Sequence, residues 1–129
     1  MAFPLVPQPK LRPRVLEQRD AKRELSAMER AVRIAVQARD GRRCRCCGRR
    51  DGLHLHHLTF RSKGGKWQTN NIVTLDAICH ALLHARQLWI IGKDADKRLM
   101  FDVHEAAVID VFGTKPLPKH ARIVTGSRR

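Results

Sequence analysis

The spacing of apolar residues in the first third of the chain is typical of a helix. Residues 15–25 are charged and compatible with a helix, and Ser26-Ala27-Met28-Glu29 fits the S-x-x-E capping box, which predicts a helix start. Arg30 and Arg33 should face outward, and Asp40-Gly41 should end the helix. The apolar residues that recur at helical spacing, and should therefore face a core, are Leu25, Met28, Val32 and Ala35.

Shorter apolar runs with strand character fill the rest of the chain. Leu53-His54-Leu55-His56 alternates apolar and polar residues, as a strand with one buried face does. The predicted elements are strands at 53–58 and 71–75, a helix at about 77–86, and strands at 87–91 and 98–103. A turn at 92–96 joins the last two strands into a hairpin, and residues 104–112 are either a short helix or a further strand. The pattern predicts an α+β fold with an N-terminal helical segment and a C-terminal β-hairpin.

Prolines and basic residues mark the two ends of the chain. Residues 1–13 contain four of the six prolines, which predicts an irregular, Pro-rich basic arm. Residues 113–129 contain two prolines and end in two arginines, which predicts a basic, weakly ordered tail. A single domain at 14–112 remains, because 129 residues are enough for one modest core and not for two.

The chain is strongly basic, with 26 Lys and Arg against 12 Asp and Glu, a formal net charge of +14. Residues 1–50 alone hold 14 basic and 5 acidic residues. A field of this size attracts polyanions, and nucleic acid is the leading candidate. No apolar run approaches the roughly 18 residues that span a bilayer, and the Pro-rich N-terminus is too short for a signal peptide. We therefore expect a cytoplasmic protein without a membrane partner, in an infected bacterium if the gene is viral.

Cysteines and histidines are grouped in the middle of the chain. The crowding of the cysteines suits metal binding in a reducing compartment better than a disulfide framework. On a helix, His80 and His84 lie on the same face. The glycine-containing loop at 62–66 can turn the chain back, so that a histidine on the first strand meets those on the helix. Imidazoles gathered in this way can bind a divalent metal and leave one free as a base.

Six short motifs follow one another in residues 39–86. They are Arg39-Asp40-Gly41, Cys44-x-x-Cys47-Gly48, His56-His57-Leu58, Arg61-Ser62-Lys63-Gly64-Gly65, Asn71-Ile72-Val73-Thr74-Leu75 and Cys79-His80-x-x-x-His84. In order and spacing this segment resembles the HNH endonuclease family, including its small stand-alone nucleases of the phage type. The resemblance implies that residues 14–112 form a single HNH nuclease domain around a small ββα-metal (His-Me finger) core.

The resemblance also implies roles for individual residues. His57 is the expected general base, and His56, His80 and His84 are the expected ligands of a catalytic divalent ion. Asn71 is expected to hydrogen-bond backbone across the loop and keep His57 oriented, and Arg61 is expected near the scissile phosphate. Other family members have an aspartate at the position of His56, so the expected ion is Zn, Ni, Co or Mn in preference to Mg. His54 is left as a structural or supporting residue.

A structural zinc is the second expected cofactor. Many HNH proteins carry two C-x-x-C pairs; here Cys44 and Cys47 form the first, and Asp76 replaces the first cysteine of the second, which Cys79 completes. Zinc accepts a carboxylate oxygen, so a Cys₃Asp site is chemically feasible. Asp76 is also well placed as the N-cap of the helix, and Cys46 is an alternative ligand.

The sequence thus favours a metal-dependent endonuclease that cleaves double-stranded DNA with weak sequence preference, by nicking or by double-strand cleavage. By resemblance, the phage packaging machinery is a further expected partner, while the oligomeric state stays open. The alternatives are a non-catalytic, zinc-stabilised DNA-binding module and an HNH nuclease that acts on RNA. The residues expected to contact the DNA backbone are Arg42, Arg43, Arg45, Arg49, Arg50, Arg61, Lys63 and Lys66.

Overall fold

One long helix begins the described part of the chain. The structure, a computed structural model, describes the backbone of residues 13–126 and the side chains of residues 18, 19 and 21–126. Helix α1 (Pro13–Arg39) is continuous, so the two helical segments that the sequence predicted are one. No glycine or proline interrupts residues 14–39, and a proline at the first helical position costs no hydrogen bond. Ser26 therefore lies inside the helix and does not cap it, and the predicted arm at 1–13 lies outside the described residues except for Pro13.

The central unit is a β-hairpin followed by a short helix. Strands β1 (Leu53–His57) and β2 (Ile72–Asp76) are antiparallel, with Leu53 opposite Asp76 and His57 opposite Ile72. Helix α2 (Ala77–His84) follows β2 directly. Strand β2 is buried along its whole length, whereas in β1 only His56 is buried. This arrangement is the predicted ββα core, and the fold class is α+β.

A second sheet follows α2. Strands β3 (Leu88–Ile91) and β4 (Met100–His104) form the predicted hairpin. Residues 105–107 form a 3-10 turn that continues into helix α3 (Val108–Phe112), which settles the open interpretation of this segment in favour of a helix.

The segment after α3 was expected to be a weakly ordered tail, but part of it is a strand. Strand β5 (Ala121–Val124) runs parallel to β4, so the sheet order is β3-β4-β5. Arg122 on β5 donates two hydrogen bonds, of 3.0 and 2.9 Å, to the buried carboxylate of Asp102 on β4. This bidentate ion pair attaches the segment to the sheet, because a buried carboxylate requires such a partner. Residues 127–129 lie outside the described residues.

The predicted apolar face of α1 is mostly exposed. Leu25 and Met28 are 54% and 47% exposed, and Ala35 is exposed as well, whereas Val36 is fully buried. Only the C-terminal end of α1 packs against β2 and the turn that precedes it. The prediction was wrong because helical spacing identifies a face but not how far the domain extends along it. Among residues 13–126, none of the helices combines the length and apolar character that a membrane crossing requires.

A network around Asp40 attaches α1 to the domain. The Asp40 carboxylate, 1% exposed, accepts hydrogen bonds from Arg39, from Arg45 and from the backbone N–H of Thr74 on β2. Arg39 also donates to the carbonyl oxygens of Thr69 and Ile72. Arg45 points inward and is not available to DNA, because it also donates to the carbonyl oxygen of Ala95.

Candidate active site and metal centres

Three histidines from β1 and α2 meet on one side of the hairpin. Single nitrogen atoms of His56, His80 and His84 all lie within 4.8 Å of one another. The Nε2 atoms of His80 and His84 are 3.1 Å apart. Two nitrogen ligands of a tetrahedral zinc ion, each at about 2.05 Å, are expected about 3.3 Å apart, so the spacing suits one shared ion. His56 is buried and His84 is exposed, so the group is open to solvent on one side.

The electrostatic surroundings favour neutral imidazoles in this group. Burial, together with the neighbouring His80 and His84, lowers the pKa of His56 to about 4. Burial and His84 also lower the pKa of His80. A neutral imidazole has a free lone pair for a metal, so the donor set is chemically suited to a divalent ion.

His54 contacts this group from the same face of β1. Residues two apart on a strand point to the same side, and His54 Nδ1 lies 3.0 Å from Nδ1 of His80. If His80 binds an ion through Nε2, its Nδ1 carries the proton and donates a hydrogen bond to His54. The sequence left the role of His54 open, although its position two residues before His56 was a usable signal.

His57 faces the opposite side, towards the loop that joins β1 to β2. Its ring packs edge-on against Trp67, with ring centroids 4.8 Å apart. Among the described residues, His57 Nε2 and Trp67 Nε1 are both buried without a hydrogen-bond partner. Burial and then the charge of Arg61 lower the pKa of His57, although Glu29 opposes the shift. His57 is therefore a neutral imidazole with an unengaged nitrogen.

Helix α1 approaches this loop with two side chains. The Glu29 carboxylate lies 4.0 Å from the Arg61 guanidinium, and the Arg33 guanidinium lies 5.7 Å from the centroid of the Trp67 ring. Arg61 is otherwise open, with 66% of its side chain exposed. Nothing in the sequence indicated that α1 reaches the loop, because the residues are more than 30 positions apart and belong to different motifs.

Asn71 holds the two ends of the loop together. Its Oδ1 accepts the backbone N–H of Thr59 at 2.8 Å, and its Nδ2 donates to the carbonyl oxygens of Thr59 and Lys66, both at 3.1 Å. These are the cross-loop backbone contacts that the sequence predicted for this side chain. The turn itself requires glycine at 65, because a Cβ there would clash with the carbonyl oxygen of Thr59.

The cysteine group lies near the start of α2. One ligand atom from each of Cys44, Cys47, Asp76 and Cys79 lies within 4.8 Å of the others, as the sequence predicted for a zinc site. Gly48, at φ +81°, closes the turn by donating its N–H to the carbonyl oxygen of Cys44 at 3.0 Å. Thiolate and carboxylate donors at this spacing suit a structural zinc.

Asp76 caps α2 and also lies within the cysteine group, the two positions between which the sequence left its role open. It caps α2, because its Oδ1 accepts the N–H of Cys79 at 3.2 Å, and the same oxygen lies 3.4 Å from the Cys47 thiol. Its other oxygen accepts a hydrogen bond from Arg49 at 3.1 Å, so this arginine is occupied by a structural contact. Cys46 is buried but does not belong to the group of four.

The thiols of this group affect one another strongly. Hydrogen bonds from Cys47 and Cys79 lower the pKa of the Cys44 thiol. The same contacts with Cys44 raise the pKa of Cys47 to about 12 and also raise the pKa of Cys79. Three thiols this close cannot all ionise without a cation, so the group is arranged for one.

The comparisons with known proteins identify the central segment. Residues 44–86 match the family model described as HNH endonuclease. This segment, about a third of the chain, is similar to an HNH domain, and it contains the histidine group, the loop and the cysteine group. The family implies a hydrolase that acts on nucleic acid with a divalent metal. Comparison with curated proteins and with solved structures gave no match.

Proposed function

We propose that this protein is a metal-dependent endonuclease that hydrolyses phosphodiester bonds in double-stranded DNA. The observation that carries the proposal is the convergence of the His56, His80 and His84 nitrogens within 4.8 Å, one residue away from the unengaged imidazole of His57. A pure binding module would need only the cysteine group and has no need of a histidine group in addition.

The proposal assigns the catalytic ion to His56, His80 and His84. A divalent ion there supplies Lewis-acid stabilisation of the phosphate and of the leaving oxygen. All three ligands are imidazoles, so Zn, Ni, Co and Mn are favoured over Mg, which prefers carboxylate and water oxygens. His54 accepts a hydrogen bond from Nδ1–H of His80, which would leave the Nε2 lone pair of His80 free to bind the ion.

The remaining roles fall to residues of the loop. His57 takes the proton of the attacking water, since its lowered pKa favours the neutral imidazole that a general base requires. Arg61, largely exposed, contacts the scissile phosphate. Asn71 does not touch the reacting atoms in this assignment; it fixes the loop on which Arg61 lies.

The proposal assigns a structural zinc to Cys44, Cys47, Asp76 and Cys79. The group links the turn before β1 to the start of α2, which carries two of the three proposed ligands of the catalytic ion. Zinc there would hold α2 in position without taking part in the chemistry.

Charge and exposure support duplex DNA as the substrate. The net charge of +14 favours a polyanion. Arg42, Arg43 and Arg50 are exposed beside the cysteine turn and are available for phosphate contacts, unlike Arg45 and Arg49. The chain has no tyrosine and only 5% aromatic residues, which disfavours a stacking platform for single strands.

A nicking assay tests the proposed function. Metal-stripped protein is incubated with supercoiled plasmid, and Mg, Mn, Co, Ni and Zn are added back one at a time. We expect metal-dependent conversion to nicked or linear plasmid, lost in His80→Ala, which also excludes a contaminating nuclease. Retained duplex binding with no cleavage in any metal would instead support a binding module, and cleavage of structured RNA alone would move the substrate to RNA.

A further inference from the structure

A stripe of basic side chains runs along α1. Arg19, Lys22, Arg23, Arg30 and Arg33 are all exposed. At 3.6 residues per turn, these five positions fall within an arc of about 100° on the helix. No acidic residue between positions 18 and 38 falls on that arc, and Glu29 lies at its edge. We call these five residues the α1 stripe.

The α1 stripe leads to the proposed active site. Its last member, Arg33, stacks over Trp67, which packs against the proposed base His57. Next to it, Glu29 lies beside Arg61. The other end of the stripe lies on the part of α1 where the described side chains from 18 to 28 are all exposed.

We propose that the α1 stripe is a second DNA-binding surface, which holds the duplex on one side of the cleaved bond. The proposal rests on the proposed function, since it takes duplex DNA as the substrate. From Arg19 to Arg33 the helix rises about 21 Å at 1.5 Å per residue. A duplex with 3.4 Å between phosphates of one strand covers about six base pairs over that length.

The attachment of α1 makes this surface rigid where it meets the site. Arg39 and Asp40 bind the end of the helix to β2 and to the turn before it. A helix that is fixed next to the loop between β1 and β2, and that extends away from this loop, can follow the backbone of a bound duplex. A second copy of this chain would instead be expected on the separate apolar face formed by Leu25 and Met28, and it competes with DNA for the stripe only if a dimer depends on the stripe arginines.

The test compares two variants with equal loss of charge. Arg19→Gln/Arg23→Gln/Arg30→Gln removes three members of the stripe and leaves Arg33, which contacts the loop. Lys97→Gln/Arg98→Gln/Lys119→Gln removes three exposed charges outside the HNH segment. Glutamine is nearly as good a helix former as arginine, so α1 should persist, as circular dichroism can verify. Binding of the zinc-loaded protein to a 30-base-pair duplex is measured by fluorescence anisotropy at several salt concentrations, with His57→Ala present in every variant to prevent cleavage.

The slope of log K against log salt is negative, and we expect its magnitude to decrease by about 2 to 3 in the stripe variant, at roughly 0.9 per lost phosphate contact. The control variant should keep the wild-type slope. Equal changes in both variants, or an unchanged slope in the stripe variant, would overturn the proposal. The proposal would also fail if the stripe substitutions weakened binding to structured RNA but not to duplex DNA. It would fail as well if sedimentation showed that the wild-type protein is a dimer and that the stripe substitutions dissociate it.

Hydrolysis of bis(p-nitrophenyl) phosphate separates this proposal from the proposed function. The small diester cannot reach the stripe, so the stripe variant should hydrolyse it at the wild-type rate while cleaving plasmid more slowly. If wild-type protein hydrolyses neither substrate, the proposed function fails, whereas the anisotropy result for the stripe stands by itself.

Discussion

Two adjacent histidines on β1 face different surroundings, and this separation allows them different roles. Consecutive residues of a strand point to opposite faces, so His56 meets the histidines of α2 and His57 meets Trp67 in the loop. Both have a lowered pKa, mainly through burial. One dipeptide thus places the proposed metal ligand on one side of the hairpin and the proposed base on the other.

Replacement of His57 tests the role of the base. We expect His57→Ala to lower plasmid cleavage by about 10²- to 10⁴-fold, the usual contribution of a general base. Metal binding and duplex binding should persist, because His57 belongs to neither the histidine group nor the basic stripe. Cleavage within a few-fold of wild type would remove His57 from the mechanism.

A second prediction at the residue scale concerns His54. Its 3.0 Å contact with His80 Nδ1 fixes that ring only if position 54 can accept a hydrogen bond. We expect His54→Leu to weaken Mn²⁺ binding, followed by electron paramagnetic resonance, by about 10- to 100-fold. His54→Gln, whose amide oxygen can accept the proton, should stay close to wild type. Equal affinity in the Leu variant and in wild type would show that the contact does not orient His80.

At the scale of elements, the attachment of α1 depends on one carboxylate. Burial raises the pKa of Asp40, but hydrogen bonds from Arg39 and its positive charge outweigh burial, so the pKa lies below its usual value. A depressed folded-state pKa adds stability above the unfolded pKa, and this stability is lost as the pH falls through the folded value. The attachment of α1 should therefore weaken in acid.

Asp40→Ala measures this contribution. We expect it to lower the free energy of unfolding by about 2 kcal/mol at pH 7, because it leaves Arg39 and Arg45 partly buried without their partner. The difference from wild type should shrink as the pH falls below about 3.8, the usual value for aspartate. Urea unfolding from pH 7 to pH 3, with chelator present in both samples, gives the measurement. A difference that stays constant with pH would argue against the ion pair as its cause.

The sequence predicted the elements whose determinants are local. The alternation around His54 and His56, the glycine loop and the i, i+4 pair His80 and His84 are each readable within a few residues. The pairing of β5 with β4 depends instead on Arg122 meeting Asp102, 20 positions earlier, across a helix and a turn. The contact of Glu29 with Arg61 likewise depends on where α1 ends and in which direction it leaves the domain.

At the candidate site too, the sequence predicted what depends on local spacing and not what depends on contacts between distant residues. The two ligand groups could be predicted because motif spacing determines them. The inward direction of Arg45 and Arg49 could not, since basic residues around a cysteine turn look equally available for DNA until the carboxylates of Asp40 and Asp76 are placed.

At the scale of the whole molecule, the two candidate metal centres share one short helix. Helix α2 has eight residues, and isolated helices shorter than about 12–15 residues are marginal in water. Cys79 and His80 are neighbours on it, and each belongs to a different ligand group. The histidine group therefore depends on how firmly the cysteine group holds the start of α2.

Zinc content and stability can separate the two roles of Asp76. We expect one zinc per chain in the cysteine group, lost in Cys44→Ser together with a lower Tm. Asp76→Asn should keep the helix cap, because asparagine caps as well as aspartate, but should bind zinc more weakly. Cys46→Ala removes a buried thiol outside the group and serves as the matched control, with zinc retained. Zinc is quantified by a chromophoric chelator after thiol modification, and Tm by circular dichroism. If Cys44→Ser retained zinc and Cys46→Ala lost it, the ligand would be Cys46 and not Cys44.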